Sequence, residues 1–289
     1  MLGFIRIAAL VAGFAILGCD GGATGQQAQA PAHAAQRSLF ATTENARWRL
    51  PDRLREISGL ALTPDGRLFA HGDERAVIFQ IDYRNGGVVK SFAVGDPPIH
   101  GDFEDIAITD NGDFYLIAST GQLLRFREGA DGAHVPFQQY DTGLGRVCEI
   151  EGLAYHRARQ TLIIACKHNY GSEQRHRVIF FAWSTARHAL APRPWFDAPI
   201  AAFAAAAQAR TFHPSALAFD PATGRMIVLA GGDNALVELS ADGSIAAGRA
   251  LGSLHPQAEG AAVTPDGSLL ISDEGGHGHA HLARYARLH

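Results

Sequence analysis

The chain has 289 residues, and its 25 Lys and Arg against 29 Asp and Glu leave a formal net charge of -4. That balance, with no basic stripe anywhere along the chain, excludes the electrostatic footprint of a nucleic-acid-binding protein. Beyond a distinctive N-terminal stretch lie about 250 residues, long for an average domain but ordinary for one large all-β unit.

Met1 to Arg6 supply a short positive start, and Ile7 to Leu17 are almost wholly apolar. The run Ile16-Leu17-Gly18-Cys19 then resembles a bacterial lipobox, so residues 1–18 read as a lipoprotein signal peptide. The apolar stretch is shorter than the about 20 residues a transmembrane helix needs, although an uncleaved signal anchor stays open as the alternative. The lipoprotein resemblance implies that Cys19 becomes the lipidated first residue of the mature chain. It also implies a membrane partner through the lipid, on the periplasmic side. Asp20 resembles the signal that keeps such proteins at the inner membrane in enteric bacteria. Residues 19–36 are rich in Gly, Gln and Ala without apolar periodicity, the composition of a flexible tether. Residues 37–289 remain for the folded domain.

From Glu56 onward one short pattern returns five times. It appears as Glu56-Ile57-Ser58-Gly59-Leu60-Ala61, Asp102-Phe103-Glu104-Asp105-Ile106-Ala107 and Glu149-Ile150-Glu151-Gly152-Leu153-Ala154. It appears again as His213-Pro214-Ser215-Ala216-Leu217-Ala218 and Gln257-Ala258-Glu259-Gly260-Ala261-Ala262. Three of the four steps are about 45 residues, and the step before Ser215 is about 64. The Ala-rich run from Ala198 to Arg210 supplies the extra length, and its composition predicts a short helix over one rim.

Each repeat reads as four strands. In the first, Gly59 to Leu62 lead into the turn Thr63-Pro64-Asp65-Gly66, where Pro and Gly sit as turn chemistry wants them. Arg67 to His71, Ala76 to Ile81 and Val88 to Val94 follow as the second, third and fourth strands. Four strands per repeat, with turns in register, is the sequence form of a propeller blade. The last repeat has room for only three strands before His289, while Ala46 to Leu54 form an unassigned strand ahead of the first motif. The N-terminal strand is therefore expected to complete the last blade and remove the open edge. The expected fold is all-β, a single β-propeller of five four-stranded blades; six would require a degenerate blade inside the long step.

Cys148 and Cys166 flank one predicted hairpin on opposite arms. A disulfide suits an oxidising compartment, and two buried thiols are the alternative.

In a propeller the first strand of each blade lines the channel, and residues two apart on a strand share a face. Glu56, Asp102, Glu104, Glu149, Glu151 and Glu259 then meet at one mouth, with His213 and Ser215 from the fourth repeat. The ends of the second strands bring Asp73, Lys167 and Glu274 to the same mouth. Carboxylates so crowded cannot all stay ionised without compensation, so protons or a cation must join them. Oxygen ligands on rigid strands suit calcium above magnesium, and zinc less, because zinc prefers His and Cys. The six carboxylates are the expected metal ligands and calcium the expected cofactor, with Asp73, Lys167, His213, Ser215 and Glu274 as ligand-binding residues. The competing reading is that these carboxylates bond backbone amides at blade junctions and hold the ring together. Gly275-Gly276-His277-Gly278-His279-Ala280-His281 alternates three imidazoles, as a transition-metal site or an exposed loop would. No Gly-x-Ser-x-Gly elbow is present.

At Glu56-Ile57-Ser58-Gly59-Leu60, Phe103-Glu104-Asp105-Ile106-Ala107, Glu149-Ile150-Glu151-Gly152-Leu153 and Pro214-Ser215-Ala216-Leu217 the chain resembles the SdiA-regulated family. That family lies within the broader group of phytase-like β-propellers, and the resemblance runs from about Arg47 onward. It implies a membrane-associated periplasmic propeller with calcium at the channel mouth. Phytase-like enzymes hold phosphate with bridging calcium and a cluster of Lys and Arg. Here the only lysines are Lys90 and Lys167, with Arg75 and Arg146 near the mouth, a thin set for a highly charged substrate. The function expected is a binding or scaffold protein at the cell envelope, its partner a small anionic ligand or an envelope protein. The alternative is a calcium-dependent hydrolase of a phosphoester or other ester.

Overall fold

The computed structural model describes residues 37–288. The signal peptide over 1–18, the tether over 19–36, the lipidation at Cys19 and the sorting role of Asp20 lie outside the described residues. Among the described residues no helix is long and apolar enough to cross a membrane.

The described chain forms a five-bladed β-propeller. It opens with β1 (Phe40–Arg49) and continues into the first blade through β2 (Ile57–Leu62), β3 (Leu68–Gly72), β4 (Val77–Asp82) and β5 (Gly87–Val94). The second blade holds β6 (Phe103–Ile108), β7 (Asp113–Ala118) and β8 (Gln122–Arg127). A two-residue strand β9 (His134–Val135) joins the first blade in parallel beside β5, and β10 (Phe137–Asp141) completes the second. In the third blade, β11 (Cys148–His156), β12 (Thr161–Asn169) and β13 (Arg177–Ser184) are followed by β14 (Ala189–Leu190) and β15 (Phe196–Pro199), which both pair with β13. The fourth comprises β16 (Ala216–Phe219), β17 (Met226–Ala230), β18 (Ala235–Leu239) and β19 (Ile245–Ala250). The last contains β20 (Ala258–Val263), β21 (Leu269–Asp273) and β22 (His281–Arg287), with β1 antiparallel to β22 as its outermost strand.

The first strand of every blade is innermost, and β2, β6, β11, β16 and β20 touch one another in a closed ring. Each inner strand is buried on both faces against its two neighbouring blades. The core is accordingly divided into clusters wedged between blades, such as Phe69, Phe92, Phe114 and Phe126 between the first and second. Closure uses only residues from Phe40 onward, so a chain beginning at Gln36 keeps every blade.

Two expectations are refined. The closing strand spans Phe40–Arg49 rather than Ala46 to Leu54, because Pro51 has no N–H to extend the ladder and Asp52–Leu54 turn into a 3-10 helix. The long step holds no sixth blade. Its extra length goes into β15 and the helix α1 (Ile200–Ala207), whose buried Phe203, Ala204 and Ala207 pack beside β18 and β19. Cys148 and Cys166 form a disulfide across β11 and β12, with their Cα atoms 5.7 Å apart.

Candidate functional site: an acidic channel mouth

Four of the five inner strands carry the same irregularity. The pairing slips by one residue at Ser58 in β2, Glu104 in β6, Glu151 in β11 and Glu259 in β20. A bulge leaves one residue outside the ladder and re-aims its side chain. In three blades that residue is a glutamate, and the bulges turn all three toward the channel mouth. In the third blade a second slip leaves Lys167 of β12 unpaired as well, facing Glu151.

Lys167 Nζ lies 2.5 Å from Glu151 Oε1. On its other side Glu151 is within hydrogen-bonding reach of Glu104. Burial, then the charges of Glu151 and Asp102, push the Glu104 carboxyl up to about 9. Burial, then the charge of Glu151, push Glu259 up to about 8. Burial also raises Glu151, against the pull of Lys167. For Lys167 itself burial works downward, but its bond to Glu151 and the charges of Glu151, Glu259 and Glu149 prevail and raise it. At neutral pH Glu104 and Glu259 therefore hold protons, while Lys167 is a cation bonded to Glu151.

A second group joins the last blade to the first. Burial, then a hydrogen bond and charge from Glu56, push Glu274 up to about 7. Burial raises Asp73 in the same group, with Glu56 and Glu74 adding to it. Gln257 donates to Glu274. Asp102 accepts from Ser119 Oγ at 2.6 Å, and Glu149 faces His168 across β11 and β12. His213 is held by Asp233 beside His168. Of the expected residues only Ser215 is drawn away. It is 3 % exposed, donates its hydroxyl to Ala258 O at 2.8 Å and accepts from Gly231 N at 2.9 Å. Its role is to join the fourth blade to the fifth.

The position after the bulged residue is small in three blades, Gly59, Gly152 and Gly260, and so is Ala216 at the same place in the unbulged fourth. In the second blade it is Asp105, fully enclosed at 1 % exposure. Its Oδ1 accepts from Ile106 N at 2.8 Å and its Oδ2 from Leu153 N of the third blade at 2.7 Å. Burial pushes this carboxyl well above the usual range, against the amides of Leu153, Ile106 and Leu217. A Cβ at Gly59 would sit 2.6 Å from His71 Nε2 and 2.7 Å from Asp105 Oδ1, so the glycine makes room for both side chains. The junction role considered for the motif carboxylates is thus taken by Asp105. Sequence reasoning missed it, although an acid in a column otherwise filled by Gly and Ala was a visible signal.

A sizeable cavity lies away from the acidic mouth. It measures about 670 Å³ and lies along the later halves of the inner strands, lined by side chains such as Leu62, Ile108, Tyr155, Phe219 and Val263. The channel therefore has an acidic end and an apolar end. The His277–His281 run does not gather into a site either: His279 lies 3.6 Å from Asp52, while His281 is in β22 opposite Arg49.

No protein-family model matches the sequence, and no curated protein sequence does. Solved structures do. Glutaminyl cyclase of Myxococcus xanthus superposes with a TM-score of 0.56 at 11% identity, over 86% of this chain and 97% of that one. A luciferin-regenerating enzyme superposes with a TM-score of 0.53 at 9% identity, over 83% and 95%. The likeness is one of fold.

The oxygen-rich donor set suits a hard cation. Among the described residues, however, no three His, Cys, Asp or Glu side chains converge into a ready cage. What stands assembled is a pair of carboxyl contacts, Glu104–Glu151 and Glu56–Glu274, in which burial and the neighbouring carboxyl push up Glu104 and Glu274.

Proposed function

We propose that the protein is a lipid-anchored binding protein of the bacterial envelope, of the SdiA-regulated, phytase-like kind, whose acidic mouth takes up calcium. The observation that carries this reading is the contact between Glu104 and Glu151, with its counterpart between Glu56 and Glu274. Carboxyls pressed together and removed from water keep a proton or gain a cation. Glu104, Glu151, Glu56 and Glu274 would supply oxygen ligands, with Glu259 and Asp102 beside them. Calcium would supply the positive charge that the protons now supply, and a bridge to a small anionic ligand that the mouth otherwise repels.

Calcium titration by calorimetry on the chain from Gln36, in two buffers of different ionisation enthalpy, tests this. Saturable binding with proton release, lost in Glu104→Gln/Glu151→Gln, is the expected result. No binding by the wild type would return these carboxyls to a purely structural role.

A hydrolytic reading draws on the same pair, since Glu104, pushed up to about 9, sits beside a Glu151 that Lys167 draws toward its ionised form, an arrangement of acid next to base. With Lys167 the only lysine at the mouth, its substrate would be an ester of low charge. A chelator-sensitive hydrolysis lost in Glu104→Gln would favour it.

A further inference from the structure

Between the third and fourth blades the rim of the mouth carries side chains that the carboxyl chemistry does not use. The imidazoles of His168, in β12, and His213, just ahead of β16, lie 4.6 Å apart centre to centre, at 54°. Asp233, in the turn after β17, accepts from His213 twice, at its backbone N–H (2.6 Å) and at its Nδ1 (2.9 Å). In the neutral ring that bond selects the tautomer protonated at Nδ1, which leaves the lone pair on Nε2, at the far side of the ring from Asp233. Glu149 is the direct cross-strand partner of His168, so the two side chains leave the sheet on the same face.

We propose that His168, His213 and Glu149 form a binding site for one divalent transition-metal ion of the zinc class, with Asp233 as the residue that orients His213. Two imidazoles that share a tetrahedral ion at about 2.0–2.1 Å have ring centres about 5 Å apart, close to the spacing here. A carboxylate behind the far nitrogen is the usual support of a metal-bound imidazole, because it fixes tautomer and ring angle together. Two imidazoles and one carboxylate make a three-ligand set that leaves a fourth position open. Calcium has no preference for such a nitrogen-rich set. The ring spacing is in place while the three side chains do not yet converge, and the ion would complete the set by drawing the Glu149 side chain toward the rings. Charge favours the ion too: Glu149 and Asp233 balance its two positive charges, and the nearby Lys167 is already engaged by Glu151. His168 is exposed, so the site opens to solvent. It is separate from the carboxyl pairs proposed for calcium, and each can fail without the other.

The test uses the chain from Gln36 in a background of His277→Gln, His279→Gln and His281→Gln, which removes the competing glycine-histidine run. Cobalt(II) is titrated while its visible absorption is followed, then zinc is added in competition. The expected result is one ion per chain with the intense bands of a tetrahedral cobalt centre, bleached by zinc and unchanged by millimolar calcium. His168→Gln and His213→Gln each abolish the bands, and Asp233→Asn weakens affinity about 10–100-fold. Circular dichroism confirms that each variant is folded. No saturable binding of either ion, or binding that survives loss of both imidazoles, overturns the proposal.

Discussion

Lys167 and Glu151 meet at 2.5 Å as the two residues left unpaired by back-to-back bulges in β11 and β12. Neither is available to the ladder, and both are turned to the channel by the same defect. The ion pair and the irregular backbone are thus one feature, and it sets the charge of the whole mouth.

Replacing Lys167 by Met leaves Glu151 enclosed without its cation. We expect a loss of about 2 kcal/mol at neutral pH, since an abandoned partner costs its desolvation. Glu151 escapes that cost by taking a proton, so the loss should shrink in acid. Urea unfolding of wild type and Lys167→Met across pH reads both effects.

Glu104 and Glu259 titrate near 9 and 8 in the fold, against a usual value of 4.5. The folded state therefore binds protons that the unfolded chain has released. Their contribution to stability is fully present below pH 4.5 and is lost as pH rises through 8 and 9. Each group can tilt stability by at most about 1.4 kcal/mol per pH unit within that window. Denaturation series should fall across it in wild type and fall less in Glu104→Gln. A flat wild-type profile would contradict the protonated mouth.

Asp105 satisfies two buried amides on two blades. Asp105→Ala leaves both without an acceptor, and a loss of about 3 kcal/mol is expected. Gly59→Ala should also destabilise, by about 1–3 kcal/mol of overpacking. Because that methyl would press on Asp105 as well as on His71, the double variant Gly59→Ala/Asp105→Gly should lose less than the sum, the clash with His71 remaining. Additive losses would show that the two positions do not couple.

The disulfide closes a loop with a sequence separation of 18 residues. Constraining a loop of that size in the unfolded chain stabilises by about 3 kcal/mol. Cys148→Ala/Cys166→Ala should unfold at correspondingly lower urea, and added reductant should shift wild type but not the double variant.

The blades were legible because four of the five turns between first and second strands carry turn chemistry, as at Thr63-Pro64-Asp65-Gly66 and Thr264-Pro265-Asp266-Gly267, the exception being Arg157-Ala158-Arg159-Gln160. The acidic mouth was legible because glutamates recur at one place in the repeat. Strict alternation along a strand, however, places Glu56 with Ser58 and Glu149 with Glu151 on one face. The bulges break that alternation, and a bulge depends on the neighbouring strand, which no single segment encodes. His168 escaped notice for the same reason: its proximity to His213 crosses a blade boundary. The start of β1 at Phe40 was hidden too, since Ala41 to Glu44 carry almost no apolar pattern and the pairing is irregular there, with only Phe40 and Glu44 set opposite Arg287 and Tyr285.

Among the described strands β1 comes first, and its partner β22 comes last. Until β22 leaves the ribosome, the outer edge of the fifth blade has no mate, and β1 has nothing to pair with. The ring cannot seal during synthesis, and contacts that span nearly the whole chain form slowly. The latch between β1 and β22 is thus the step that turns an open row of blades into a ring, and it comes after every other blade can form.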